Sequence, residues 1–168
     1  ADSAKALADV IPKSNIQTLV IGPKATVVPA HGSDATSLDF SNQNLGPGEL
    51  IVISSAISVI PALSEVNLSV NECFDNDSAK ALADVIPKSN IQTLVIGPKA
   101  TVVPAHGSDA TTLDFSNQGL GPVELIVISS AISVIPALSE VNLSVNPMIG
   151  SVTGFKDKRV GSMIPSLG

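Results

Sequence analysis

An internal duplication constrains this chain more than any other feature. Residues 2–71 recur at 77–146, an offset of 75, and only three of the 70 aligned positions differ. Both copies contain the segment DSAKALADVIPKSNIQTLVIGPKATVVPAHGSDAT. Repeated segments set the fold before any single motif does, because each copy adopts the same local structure. A motif present in both copies therefore counts as one observation rather than two.

A shorter period lies inside each copy. Three segments per copy share the frame apolar-x-x-apolar-x-apolar-x-x-polar, and their central anchors fall at positions 19, 38, 66, 94, 113 and 141. The alternation of apolar and polar residues predicts a short strand with one buried face. Each strand can bury that face only against its neighbours, which favours stacking of the units.

The segments between these strands predict two helices in each copy. Apolar residues at helical spacing occur in Asp2–Ile11 and Gly48–Ile60, and again in Asp77–Ile86 and Val123–Ile135. Asp2 and its equivalent Asp77 are candidate N-caps, and a proline ends each helix. By contrast, Gly22–Asp34 carries two prolines and two glycines, so we expect it to be extended or irregular.

The repeated frame resembles LxxLxLxxN, the pattern of leucine-rich repeats, and SAKALADVIP before IQTLVI is similar to their ribonuclease-inhibitor-like class. The resemblance implies an α/β solenoid over residues 1–146, with units 2–71 and 77–146. Its six strands would form one curved parallel sheet, with helices and irregular segments on the convex side. Residues 147–168 would be a C-terminal capping segment or a docking tail. The pattern's asparagine occurs only at Asn71 and Asn146. The alternative is a pair of compact 75-residue domains.

The resemblance also implies a function, namely a non-catalytic protein–protein interaction scaffold that binds through the concave strand face or the solenoid edges. The predicted face is small, polar and mildly acidic, which suits a basic protein partner, although it equally suits a solvated surface with no ligand. Aromatic anchors, which usually carry binding energy, are scarce, with four Phe and no Trp or Tyr. The candidate partner-binding residues are Thr18, Val20, Ser37, Asp39, Ser41, Glu65, Asn67, Ser69, Thr93, Val95, Thr112, Asp114, Ser116, Glu140, Asn142 and Ser144.

Two other functions stay open at this point. One is a structural subunit of a larger permanent assembly. The other, less favoured, is a hydrolase that uses His31 or His106, each of which lies in the segment PAHGSD. No GxSxG motif is present, and turn formation accounts for the Gly-Ser-Asp residues. We therefore predict no enzymatic activity and no cofactor. Two histidines and the single Cys73, far apart in sequence, also predict no metal site.

The charge and hydropathy of the chain limit which partners and which cellular locations we expect. The net charge of −6 disfavours nucleic acid, which needs a basic face. No apolar segment reaches the roughly 20 residues that a membrane-spanning helix needs. No signal peptide is recognisable, so the compartment is unknown and a soluble intracellular location is slightly favoured. Lys156, Lys158 and Arg159 make the tail basic, and they are candidate docking residues for an acidic patch.

The first unit lacks the strand that precedes its counterpart in the second copy. Only Ala1 precedes the helix at Asp2, whereas a strand and a loop precede Asp77. An uncovered repeat edge leaves apolar side chains and unpaired backbone groups. We therefore expect further sequence upstream in the native protein, self-association through the edges, or docking on another subunit.

Overall fold

A computed structural model of the chain describes residues 2–71 and 74–147. Each copy contributes two α-helices, one short 3₁₀ helix and four strands. The helices are α1 (Asp2–Val10), α2 (Pro47–Ile57), α3 (Asn76–Val85) and α4 (Pro122–Ile132), with 3₁₀ helices at Ile11–Lys13 and Ile86–Lys88. The strands are β1 (Thr18–Ile21), β2 (Thr26–Pro29), β3 (Ser37–Asp39), β4 (Glu65–Asn67), β5 (Thr93–Ile96), β6 (Thr101–Pro104), β7 (Thr112–Asp114) and β8 (Glu140–Asn142).

A strand forms at each of the six predicted anchors, but the predicted single curved parallel sheet is wrong. The strands form three separate sheets: an antiparallel β1–β2 pair, a mixed β3–β4–β5–β6 sheet and a parallel β7–β8 pair. Parallel pairing is confined to β3–β4–β5 and β7–β8, where partners lie 28 residues apart in sequence. The described residues are therefore a small mixed α/β structure and not a repeat solenoid.

The sheet is interrupted by a hairpin that sequence analysis missed. Gly22 and Ala25 both adopt positive φ, at 79° and 53°, and turn the chain back so that β2 pairs antiparallel with β1. The second copy repeats this turn, so β6 occupies one edge of β5 while β4 occupies the other. No edge of β5 is left for β7, which begins a new sheet. The segment Gly22–Asp34, expected to be extended or irregular, thus contains a paired strand.

The helices lie close to their predicted positions, with different ends. α2 begins at Pro47 and ends at Ile57, three residues before the predicted end. Asp2 lies within α1, and the N-cap of α3 is Asp75 rather than Asp77. The Asp75 carboxylate accepts a hydrogen bond from the Ser78 backbone N–H at 2.8 Å, and this bond lowers the pKa of Asp75. The first helical turn of α3 is therefore held by a side chain two residues earlier than predicted.

One continuous aliphatic core joins the two copies. Each helix packs against the next in sequence order, from α1 to α4, and α2 and α4 also pack on β2 and β6. The buried cluster contains residues of both copies, including Ile53, Val66, Leu94 and Ile128. Because β4 of the first copy pairs with β5 of the second and α2 packs on α3, the copies are not two separate compact domains.

Two asparagines, the half-buried Asn71 and the buried Asn146, connect neighbouring turns of the chain. The Asn71 Oδ1 accepts hydrogen bonds from the backbone N–H groups of Gln43 and Leu45, both at 3.0 Å. Its Nδ2 donates to the carbonyls of Phe40 at 2.9 Å and Leu68 at 3.1 Å. Asn146 makes the equivalent bonds in the second copy. A side chain with donors and acceptors at its tip can satisfy backbone groups that no strand partner reaches.

The three differences between the copies fit their sites. Asn44 and its equivalent Gly119 both adopt positive φ, at 57° and 70°, a conformation that these two residue types tolerate best. A Cβ atom added at Gly48 would lie 3.6 Å from the Ala4 Cβ, an ordinary contact, so valine is accommodated at this position in the second copy. The third difference, Ser37 against threonine, lies on an exposed strand position.

The predicted tail falls outside the described residues, apart from Pro147. The candidate docking residues Lys156, Lys158 and Arg159 therefore lie outside the described residues, and so does Cys73. Within the described ranges, no helix combines the length and apolar character that crossing a membrane requires.

Candidate binding surface

The predicted strand face is divided among the three sheets. In the mixed sheet, the registers align Ser37 with Glu65 and Thr93, and Asp39 with Asn67 and Val95. These two rows run across three parallel strands on one face. In the parallel pair, Thr112 lies beside Glu140 and Asp114 beside Asn142. Thr18 and Val20 lie apart from both groups, on the β1–β2 hairpin.

Most of the predicted face residues are accessible, but two are not. Val95 is 9% exposed and Ser69 is 2% exposed, so these two side chains are buried in the single chain. Val95 lies between β4 and β6, which flank it on both sides. The Ser69 hydroxyl donates to the Asn67 Oδ1 at 2.6 Å and is held within the turn that ends β4. The equivalent residues of the other copy, Val20 and Ser144, are exposed.

Two valines on this face were not predicted from the sequence. Val27 on β2 and Val102 on β6 are each 59% exposed, and each lies directly opposite a predicted residue in its hairpin. In TVVP the burial alternates, with Thr26 and Val28 buried and Val27 exposed. The sequence itself does not alternate in polarity there; its strand signal is the run of β-branched residues Thr26, Val27 and Val28, which the flanking prolines and glycines obscured.

Carboxylates at the strand ends fix local turns and carry the charge of the face. The Asp39 Oδ1 accepts a hydrogen bond from the Ser41 backbone N–H at 2.9 Å, and Asp114 accepts the same bond from Ser116. Hydrogen bonds from these serines lower the pKa of both aspartates. The aspartates are therefore ionised at neutral pH. Glu65 lies exposed in the adjacent row, so the mixed sheet presents two carboxylates on a largely small-residue surface.

Lys24 and Gln43, which stand where the repeat pattern has asparagine, make different contacts. Lys24 donates through Nζ to the Asn42 carbonyl at 2.9 Å, and the Gln43 Oε1 accepts from the Thr26 hydroxyl at 3.0 Å. These side chains therefore connect the β1–β2 hairpin to the chain that follows β3. Gln43 also donates through Nε2 to the Ser41 carbonyl at 3.3 Å. Each of these two side chains therefore bonds at most one backbone group, whereas the Asn71 side chain joins several.

Each histidine contacts the backbone of a 3₁₀ helix. The His31 Nε2 lies 2.8 Å from the Ile11 carbonyl oxygen, and the His106 Nε2 lies 2.9 Å from that of Ile86. Only a protonated ring nitrogen can bond a carbonyl oxygen, so Nε2 carries the hydrogen in both. The nearby Ser33 hydroxyl accepts from the Ala35 backbone N–H at 3.1 Å. These contacts give the PAHGSD segment a structural role in joining the hairpin to the preceding helix.

A groove lies on the helical side, between α1, α2 and α3. Its volume is about 660 Å³, and its lining combines alanine, serine, lysine and aspartate side chains with neither histidine nor cysteine. Within residues 2–71 and 74–147, no three His, Cys, Asp or Glu side chains come together as a metal site.

No protein-family model matches the sequence, and no curated protein is significantly similar to it.

Proposed function

We propose that the chain is a non-catalytic binding module that contacts a basic segment of a protein partner through the face of its mixed sheet. The observation that carries this proposal is the alignment of Ser37, Glu65 and Thr93 in one row across three parallel strands, with Asp39 and Asn67 aligned in the next row. A hydrogen-bonded sheet presents these groups in fixed positions, which lowers the entropic cost of binding.

The chemistry of the face defines the partner. Asp39 and Glu65 offer two carboxylates, which favour lysine or arginine side chains. Val102 adds an exposed apolar contact at the β6 end of the second row. Without aromatic anchors the surface suits an extended basic segment with small apolar side chains, held at modest affinity.

A charge-reversal experiment tests this proposal. Peptides would be selected from a random library on the full chain, and the affinity of the best binder measured by calorimetry. Glu65→Lys should weaken binding by at least about tenfold, because it replaces an attraction with a repulsion. Asp9→Lys is the matched control, since it makes the same change in net charge at an exposed position on α1.

Backbone amide shifts in an NMR titration would locate the contact. We expect shifts concentrated at residues 37–39, 65–67 and 102. Equal weakening by the two charge reversals, or shifts confined to the helices, would contradict the proposal.

A further inference from the structure

The duplication makes the two ends of the described structure complementary to each other. α3 and β5 of the second copy are buried against α2 and β4 of the first, and this contact is termed the internal junction. α1 and β1 have the same sequences as the corresponding parts of α3 and β5, and β8 has the sequence of β4. α4 differs from α2 at one position, where valine replaces Gly48. Gly48 faces α1, the helix that precedes α2. The side of α4 that corresponds to the α3-facing side of α2 therefore has an unchanged sequence.

The surface of α1 and β1, termed the leading face, is open within the described residues. Leu82 and Leu94 are fully buried at the internal junction, whereas their equivalents Leu7 and Leu19 are only partly buried. Val20 is 60% exposed, although its equivalent Val95 is 9% exposed. The leading face therefore presents the apolar side chains that the junction buries in the second copy.

The surface of α4 and β8, termed the trailing face, is open in the same way. Ser54 is 3% exposed at the internal junction, whereas its equivalent Ser129 is exposed. Ile126, Ile132 and Leu138 are partly buried, although the matching side chains on α2 and after it are nearly fully buried. β8 is also an end strand, because β7 is its only partner among the described residues.

We propose that a second copy of this chain docks its leading face on the trailing face and reproduces the internal junction between molecules. In the internal junction, the Leu68 N–H donates to the Val95 carbonyl at 2.8 Å, and the Gln92 N–H donates to the Ser64 carbonyl at 2.7 Å. Between two molecules, the same bonds would join Leu143 to Val20 of the second copy, and Gln17 of the second copy to Ser139.

Charge complementarity supports the same occupant. Lys5 of the first copy and Asp77 of the second form an ion pair across the internal junction, with the Nζ and Oδ2 atoms 3.2 Å apart. Their equivalents at the proposed contact are Lys80 and Asp2 of the second molecule, and both are exposed in the single chain. The faces differ from each other, so each molecule keeps one face open after pairing and the assembly grows head to tail.

This proposal uses a different surface from the binding module proposed above, so either can fail without the other. The chain supplies a matched pair of variants, because Val20 and Val27 lie opposite each other in one hairpin and are 60% and 59% exposed. The internal junction buries the equivalent of Val20 but leaves Val102, the equivalent of Val27, 59% exposed.

The experiment measures the mass of the full chain by sedimentation over a range of concentrations. We expect the mass of the unmodified chain to rise with concentration. Val20→Arg on the leading face and Ser129→Arg on the trailing face should each weaken association at least about 100-fold, because an unpaired charge would be buried at the contact. Val27→Arg should associate like the unmodified chain.

Mixing the two blocked variants tests the head-to-tail geometry. Val20→Arg keeps its trailing face and Ser129→Arg keeps its leading face, so an equimolar mixture should form a dimer that grows no further. That rescue also shows that both variants are folded. A monomeric unmodified chain at about 200 μM, where even weak contacts of micromolar affinity are occupied, would overturn the proposal. Dimers formed by either blocked variant alone would also overturn it, because they require a face that binds itself.

Discussion

Replacing Asn71 with alanine should destabilise the chain more than the same replacement at Asn67, the last residue of β4. The side chain makes four hydrogen bonds of 3.1 Å or less to the backbone segments that follow β3 and β4. Each such bond contributes about 1 kcal/mol net, and a buried group left without a partner costs more. Asn71 is partly exposed, so water replaces some of the lost bonds and the expected loss is about 2–4 kcal/mol.

Asn67→Ala is the matched control. Asn67 has the same side chain only four residues away, but its oxygen bonds one residue, Ser69, at the surface turn after β4. We expect this variant to lose about 1 kcal/mol. The equivalent Asn146 is more deeply buried, at 8% exposure, so Asn146→Ala should cost at least as much as Asn71→Ala.

Urea unfolding followed by far-ultraviolet circular dichroism measures these differences, since the chain has no Trp or Tyr for fluorescence. The free energy of unfolding should fall in the order Asn67→Ala, Asn71→Ala, Asn146→Ala. Equal losses for Asn67→Ala and Asn71→Ala, or a loss below about 1 kcal/mol for Asn71→Ala, would show that the Asn71 amide does not hold neighbouring turns together.

Three further substitutions test local features by the same unfolding measurement. Asp75→Ala should cost about 1 kcal/mol at neutral pH through loss of the N-cap bond to Ser78. The pKa of Asp75 is lowered in the folded chain, so the stabilisation from its carboxylate is present above about pH 4 and is lost as the pH falls through that lower pKa. The variant should therefore lose stability less steeply in acid than the unmodified chain. An unchanged acid profile would contradict this. Gly22→Ala should cost about 1–3 kcal/mol, because φ is +79° and the new Cβ would lie 2.9 Å from the Leu45 Cδ2; a neutral result would show that the turn relaxes freely. Val70→Gly should stabilise the chain by up to about 1 kcal/mol, because a half-exposed β-branched residue there has φ of +56°, and a destabilised variant would show that the valine packs favourably.

The sequence predicted local structure better than it predicted pairing. Apolar alternation placed a strand at each anchor, because burial of one strand face is decided within a few residues. Pairing depends on which edge is free, and the β1–β2 hairpin depends on the positive φ of Gly22 and Ala25. Alanine seldom adopts that conformation, so no residue-type rule marks the turn.

The candidate binding surface was also predicted only in part, because it too depends on which strands pair. Residues of β3 and β4 were placed on the exposed face correctly, since their neighbours continue the parallel register. Val95 was misplaced and Val102 was missed, because both depend on β6, which the sequence analysis did not recognise. Prolines and glycines around a four-residue strand give the composition of a loop, even though the strand itself carries three β-branched residues.

The 28-residue spacing between paired strands has a kinetic consequence. Parallel partners 28 residues apart meet only after the intervening chain has folded back, so these pairs should form later than the β1–β2 and β5–β6 hairpins. The duplication also presents each strand edge twice, in nearly the same sequence. During refolding at high concentration, β4 of one molecule meets both its own β5 and the β1 of another molecule, which is chemically equivalent. Dilution favours the intramolecular partner. The yield of correctly folded single chains should therefore fall as the protein concentration during refolding rises, even where the structure of the folded chain is unchanged.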